Sequence, residues 1–296
     1  MHSKPSFALI LFVLTFSLGI SACAAFGNSS TPTPALPTST PVPPTATPPP
    51  SVATVNGEYL TVTEFQAELE RYKLSQTSLG ITVSEEDANK AVLEDMIAQT
   101  LLAQAARKNN FTLTEADLKS KITSLAESIG GVEALSAWQA SHGYDVESFQ
   151  SSLKRSTEAA WMRDKIIADV PTNAEQIHLR QILTYNEEDA RVALDQLNGG
   201  ANFEELAALY NTTTLGELGW IPRGYLLDAK AEEAVFALQT GAYSGIITTD
   251  AGFHIFKAVE RGEHALSPDA LLTVREIALK NWVAEQRAKS NIVLVP

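Results

Sequence analysis

Few side chains in this 296-residue chain are grouped so as to do chemistry, and most of them fall between Glu175 and Gly262. Three short runs carry them. The first is Glu175-Gln176-Ile177-His178-Leu179-Arg180-Gln181-Ile182-Leu183. The second is Gly216-Glu217-Leu218-Gly219-Trp220, behind the loop Asn211-Thr212-Thr213-Thr214-Leu215. The third is Gly252-Phe253-His254-Ile255-Phe256-Lys257, just after Thr249. The chain shows no metal-ligand cluster, no phosphate loop and no serine elbow. What remains is histidine, amide and hydroxyl groups among aliphatic side chains. A lone histidine in a strand, taken by itself, reads as a hydrogen-bonded core residue.

The order, spacing and glycine placement of these runs resemble the parvulin family of peptidyl-prolyl cis/trans isomerases. The resemblance implies an antiparallel sheet flanked by helices, and catalysed rotation about X-Pro bonds without cofactor or metal. That rotation faces a barrier of about 18–20 kcal/mol, because the twisted amide loses resonance. It is slow enough to limit folding. A catalyst has only to prefer the twisted amide over both planar forms. On this resemblance His254 matches the histidine of the last strand motif, Gly-x-His. Thr249 matches a hydroxyl that lines the site. Leu218 and either Leu226 or Leu227 match aliphatic walls of the proline pocket, and Trp220 and Phe236 join the substrate-binding set. Gln181 and Thr213 complete the catalytic set with His254.

The chain also departs from the family pattern. Gln181 stands where the family has a histidine in the first strand. His178 is no substitute, because side chains alternate along a strand and positions three apart face opposite sides. The loop holding Thr213 offers hydroxyls and an amide where the family places a cysteine or aspartate. Ala231, or Lys230, stands where the pocket's aromatic residue is usual. The Gly216–Trp220 motif is scaffold first: its glycines permit a tight turn and close backbone approach.

Between Gln176 and Val259 strand patterns alternate with helical ones: strands at 176–184, 216–221, 243–249 and 253–259, and helices at 187–197, 203–210 and 230–238. In the last helix Ala234, Phe236 and Leu238 are expected inward. This is the pattern of a small α+β unit.

The rest of the chain bounds its setting. Hydrophobic residues make up 45% and the formal net charge is −13. One or two cores fit this length. The acidity argues against nucleic acid, whose affinity comes from basic patches. Cys23 is the single cysteine, so no intramolecular disulfide can form. Phe7 to Leu18 is an apolar run of signal length, too short for a comfortable span. Ile20-Ser21-Ala22-Cys23 resembles a bacterial lipobox, which implies a signal peptide over 1–22 and a lipid on Cys23. An ordinary secretory signal cut elsewhere, or an uncleaved anchor, are the alternatives. Residues 23–51 read as a Pro/Thr-rich linker, with nine of the 14 prolines between Pro32 and Pro50. In polyproline II geometry, at about 3.1 Å per residue, its Ser29–Ser51 stretch would span roughly 70 Å.

Val52 to Leu60 reads as a hairpin turning at Asn56-Gly57. Helices follow, with start signals at Thr63, Ser84 (with Asp87), Thr114 (with Asp117) and Asp145, and stops at Gly130-Gly131, Gly143 and Pro171. The opening Val55-Asn56-Gly57 and the helices after it resemble the N-terminal chaperone region of SurA- and PrsA-type foldases. Ser267-Pro268 starts a last helix, and Ile292 to Val295 a final strand. The expected fold class is therefore α+β. A helical chaperone domain (52–173), completed by 263–296, carries an inserted parvulin-like domain (174–262).

Two functions follow. One is a membrane-anchored extracytoplasmic isomerase acting on unfolded or proline-containing polypeptides, tethered through Cys23. The other is a non-catalytic chaperone lipoprotein whose parvulin domain only cradles peptide. An envelope adaptor is a weaker third.

Overall fold

The computed structural model describes residues 48–295, so the expected signal segment, Cys23 and most of the Pro/Thr-rich stretch lie outside the described residues. Strands β1 (Ser51–Val55) and β2 (Glu58–Thr61) form the expected hairpin. Asn56 and Gly57 take φ of 53° and 86°, the left-handed pair that a two-residue turn requires. Pairing starts at Ser51 against Thr61, one residue inside the expected linker.

Helix α1 (Val62–Ser78) starts at Thr61, not at Thr63. The Glu64 N–H donates to Thr61 Oγ1 at 3.2 Å, while the Glu64 carboxylate accepts from the Thr61 N–H at 3.3 Å. This reciprocal box satisfies two amides that would otherwise lack partners, which a cap at Thr63 would not do. Helices α2 (Glu85–Lys108), α3 (Glu115–Ser128), α4 (Val132–Ser141) and α5 (Val146–Ala168) begin and end close to the sequence signals, with caps at Ser84, Thr114 and Asp145. Between α2 and α5 lies a buried charge. Glu158 is fully buried, receives Arg107 Nη1 at 2.6 Å and accepts the Leu113 N–H at 3.2 Å.

The chain then enters a second sheet. It comprises β3 (Asn173–Thr184), β4 (Glu217–Pro222), β5 (Ile247–Thr249) and β6 (Gly252–Ala265), in the order β4-β3-β6-β5, all neighbours antiparallel. Helices α6 (Glu187–Asn198) and α7 (Phe203–Tyr210) cover one face, packing Ala193, Leu197, Phe203 and Leu206 on Ile182 and Ile255. Helix α8 (Ala229–Ala237) covers the other, packing Ala231 and Val235 on Ile177, Leu179 and Phe256. Alternate residues of β3 thus supply two separate cores. The long strands pair through to Asn173↔Ala265, past both expected domain boundaries.

Two expectations change. In α8 the fully buried positions are Ala231 and Val235, four apart, while Phe236 and Leu238 of the expected set pack half-buried against the same core. The strand expected from Tyr243 shrinks to Ile247–Thr249, with a single bridge from Tyr243 to Lys257.

Helix α9 (Pro268–Lys289) returns to the first helices, setting Leu279, Trp282 and Val283 against Leu102, Ala103 and Met162. Strand β7 (Ile292–Leu294) pairs antiparallel with β1, closing a three-stranded sheet in the order β2-β1-β7. The second sheet and its helices are thus an insertion between two halves of a helical unit. Among the described residues no helix is long and apolar enough to cross a membrane.

Candidate active site

The two central strands of the second sheet bring distant polar groups together. His254 on β6 and Gln181 on β3 point to the face shared with α8. His254 is 8% exposed. Its Nδ1 lies 2.9 Å from Gln181 Oε1, and its Nε2 lies 2.8 Å from Thr249 Oγ1. The amide oxygen can only accept, so Nδ1 carries the proton and Nε2 is bare. The Thr249 hydroxyl therefore donates to Nε2, and it accepts the Ala251 N–H at 3.1 Å. Every polar atom of the ring is used, as burial demands. Burial lowers the His254 pKa below its usual value, against the opposing effect of the Asp228 carboxylate. The imidazole is neutral at pH 7 and held in one tautomer. Among the described residues, Gln181 Nε2 has no hydrogen-bond partner, so its N–H groups remain available.

These groups form one wall of a hollow of about 490 Å³. Leu218, Ile221, Tyr225, Leu226 and Ala231 make its apolar sides, and Leu227 stands at the surface, fully exposed. Phe256 stacks beside His254, ring centroids 5.1 Å apart and planes 8° apart. The Tyr225–Leu227 segment is held from behind. The Glu232 carboxylate accepts from the Gly224 and Leu226 amides. Gly224 lies so near Ile277 of α9 that a β-carbon there would sit 2.4 Å from its Cδ1.

Six of the sequence-expected site residues thus meet at one place: His254, Gln181, Thr249, Leu218, Leu226 and Leu227. Three do not line the hollow. Thr213 lies exposed in the turn between α7 and β4. That turn is tied down by other groups: the Asn211 side chain bonds the Leu183 N–H and C=O, and the Gly216 carbonyl accepts the Gln181 N–H at 2.7 Å. Trp220 lies between His178 and His264, at centroid distances of 5.2 and 3.6 Å. A register shift between Leu179 and Arg180 pairs Arg180 with Glu217 and leaves Leu218 unopposed. The bulge breaks the two-residue alternation, so Leu218 and Ile221 face the hollow while Trp220 does not. Phe236 packs under the Arg223 guanidinium, 4.3 Å from the ring centroid, on the flank of α8.

His178 meets Glu217 at 2.6 Å, and Arg180 meets the same carboxylate at 3.0 Å. Neither lines the hollow, as alternation from Gln181 implies. Sequence reasoning missed Asp228 and Phe256. Asp228 was legible as the cap of α8, since its Oδ1 accepts the Ala231 N–H at 2.8 Å. Phe256 was legible as the same-face neighbour of His254, two residues on. It lends an aromatic wall where Ala231 supplies none.

Comparison with known proteins bears on the family of the chain. A family model described as a SurA-like N-terminal domain matches residues 3–159, more than half of the chain. A second, described as a PPIC-type PPIase domain, matches residues 181–260. The chain is 28% identical over 232 residues to the foldase protein PrsA of Caldanaerobacter subterraneus, covering 69% of this chain and 71% of that one. It is 38% identical over 94 residues to the periplasmic chaperone PpiD of Haemophilus influenzae, covering 30% of this chain and 15% of that one. To the PrsA of Bacillus subtilis it is 26% identical over 233 residues, covering 77% of this chain and 60% of that one. Among solved structures it is similar to a crystal structure of PrsA from Bacillus cereus, with TM-score 0.42, 21% identity, and coverage of 70% of this chain and 84% of that chain.

Proposed function

From its place among the parvulin-type, SurA/PrsA-like foldases, the family to which this chain belongs, we propose that it is an extracytoplasmic peptidyl-prolyl cis/trans isomerase. The observation that carries this reading is the meeting of His254, Gln181 and Thr249 at the wall of an apolar hollow. A prolyl ring enters between Leu218, Leu226 and Phe256. A planar amide is strongly dipolar, and twisting it weakens that dipole. An apolar enclosure therefore penalises the planar forms more than the twisted one. The free N–H groups of Gln181 are placed to meet the rotating carbonyl, and the neutral His254–Thr249 pair keeps Gln181 oriented. Each 1.36 kcal/mol of such preference is about a tenfold gain in rate.

In this reading residues 174–262 form the isomerase domain. Residues 52–173 and 263–296 form a helical chaperone domain that receives unfolded chains. The protein is anchored by lipid on Cys23 at the extracytoplasmic face of a bacterial membrane. A proline-containing tetrapeptide assay tests the catalytic claim: full-length protein should turn over well above a His254→Ala/Leu218→Ala double variant, and equal rates would sink it. Mass spectrometry of the mature N-terminus tests the anchor, which an unmodified Cys23 would refute.

A non-catalytic chaperone is the second reading. It is supported by Gln181 in the family's histidine position and by Ala231 in the hollow wall. It is favoured if the same double variant suppresses client aggregation as well as the unaltered protein while no turnover is detected in either.

A further inference from the structure

The lining of the hollow carries charge of one sign. Asp228, at the start of α8, and Asp250, in the turn between β5 and β6, both line it. Among the described residues, no lysine or arginine lines the hollow. The nearest basic residues in sequence are engaged or directed elsewhere. Arg223 stacks on Phe236, and Lys230 is exposed on α8 and does not line the hollow. Lys257 binds Glu204 at 2.6 Å. His254, as the neutral ring, donates from Nδ1 to Gln181 and accepts at Nε2 from Thr249. The helix cap uses Asp228 Oδ1, and among the described residues Oδ2 has no hydrogen-bond partner. Asp250 is exposed.

A polypeptide with its proline in the hollow passes both carboxylates. The residue before proline is one Cα step away, about 3.8 Å. From there a lysine or arginine stem can lie along Leu227 while its charge reaches the rim. An aspartate or glutamate at that position meets two like charges instead. The net charge of −13 adds a field of the same sign.

We infer that Asp228 and Asp250 select prolines preceded by lysine or arginine and reject those preceded by acidic residues. This rests on the proposal that the hollow holds proline, and it adds the substrate class. The device acts by attraction and by repulsion together, which is how a modest charge pair separates substrates.

The test measures dissociation constants and turnover side by side for the full-length protein with Ala-Lys-Pro-Phe, Ala-Ala-Pro-Phe and Ala-Glu-Pro-Phe peptides. Affinity should fall in that order, with about a tenfold gap between the Lys and Glu peptides at low salt, shrinking several-fold at 0.5 M salt as the charges are screened. Asp228→Asn keeps a capping side chain, so the Asp228→Asn/Asp250→Asn variant stays folded while the Lys-to-Glu ratio falls towards one. Equal affinities for the two peptides overturn the inference, as does a ratio that survives in the double variant. Ranked binding without turnover leaves it standing and sinks the isomerase reading. Turnover without ranking does the reverse. Failure of the Lys peptide to bind at all overturns both.

Discussion

His254 and Gln181 form a diagonal cross-strand pair: Gln181 registers with Phe256 and Leu183 with His254, and the two side chains meet at 2.9 Å between Nδ1 and Oε1. Residues 73 apart in sequence therefore settle one tautomer. Gln181→Leu should leave the buried Nδ1–H without an acceptor. The expected loss is about 1–3 kcal/mol of stability, the usual cost of an unsatisfied buried donor. Urea unfolding of the variant against the unaltered protein checks it, and an unchanged midpoint would show that the bond contributes nothing.

The lowered His254 pKa gives a pH dependence with a definite sign. The unfolded histidine titrates near its ordinary 6.5, and the folded one below it. Between the two values the unfolded state binds more protons, so this contribution to stability is complete above about 6.5 and is lost as pH falls through the folded pKa. His254→Gln should flatten this component of the profile between pH 7 and 5. Parallel profiles for the two proteins would refute it.

Gly216 has φ of +75°, and a β-carbon there would sit 2.4 Å from the Gln181 carbonyl oxygen and 2.7 Å from Ala207 Cβ. Gly219 has φ of +78° with nothing within 4 Å. Gly219→Ala meets only backbone strain, about 1–2 kcal/mol. Gly216→Ala adds a clash with backbone and should cost about 2–3 kcal/mol more. Equal losses by chemical denaturation would contradict this close approach.

Leu227 lines the hollow and is fully exposed, whereas Leu218 also packs against the core beneath α8. Leu227→Ser should leave stability within about 0.5 kcal/mol, as surface changes do. Peptide affinity should fall several-fold, read by titration with a proline tetrapeptide. Undiminished affinity would remove Leu227 from the substrate-binding set.

Glu158 is wholly buried and meets Arg107 at 2.6 Å. Arg107→Leu should destabilise the helical unit by about 3 kcal/mol, because one buried charge is left behind. Adding Glu158→Gln should recover part of that loss in a double-variant cycle, whereas strict additivity would show that the two groups do not interact.

Much of the fold was readable along the chain, because its signals are local. Ser84, Thr114, Asp145 and Ser267 each start a helix as their capping patterns imply, since a cap satisfies amides within three residues of itself. Thr61 was overlooked in favour of Thr63, although Thr61-x-x-Glu64 carries the reciprocal pattern. The alternation of β3 placed Gln181 opposite in direction to His178, and a two-residue period is all that this requires.

The site was readable only in part. By type and spacing the chain determined that His254, Thr249, Leu218 and Gln181 were worth singling out, and that a Gly216–Trp220 turn supports them. Tertiary structure decided the rest. The bulge that separates Leu218 from Trp220 is set by how β4 pairs with β3, which neither strand encodes alone. How α8 lies on the sheet it covers sets which of its residues reach the hollow, so Ala231 enters the wall while Phe236, packed against the same core, lies under Arg223. Asp228 and Asp250 come to line one hollow only because α8 and the β5–β6 turn pack at the same end of the sheet's α8 face. Periods and caps are short-range and survive in one dimension, whereas register, burial and the meeting of charges arise only when strands and helices pack.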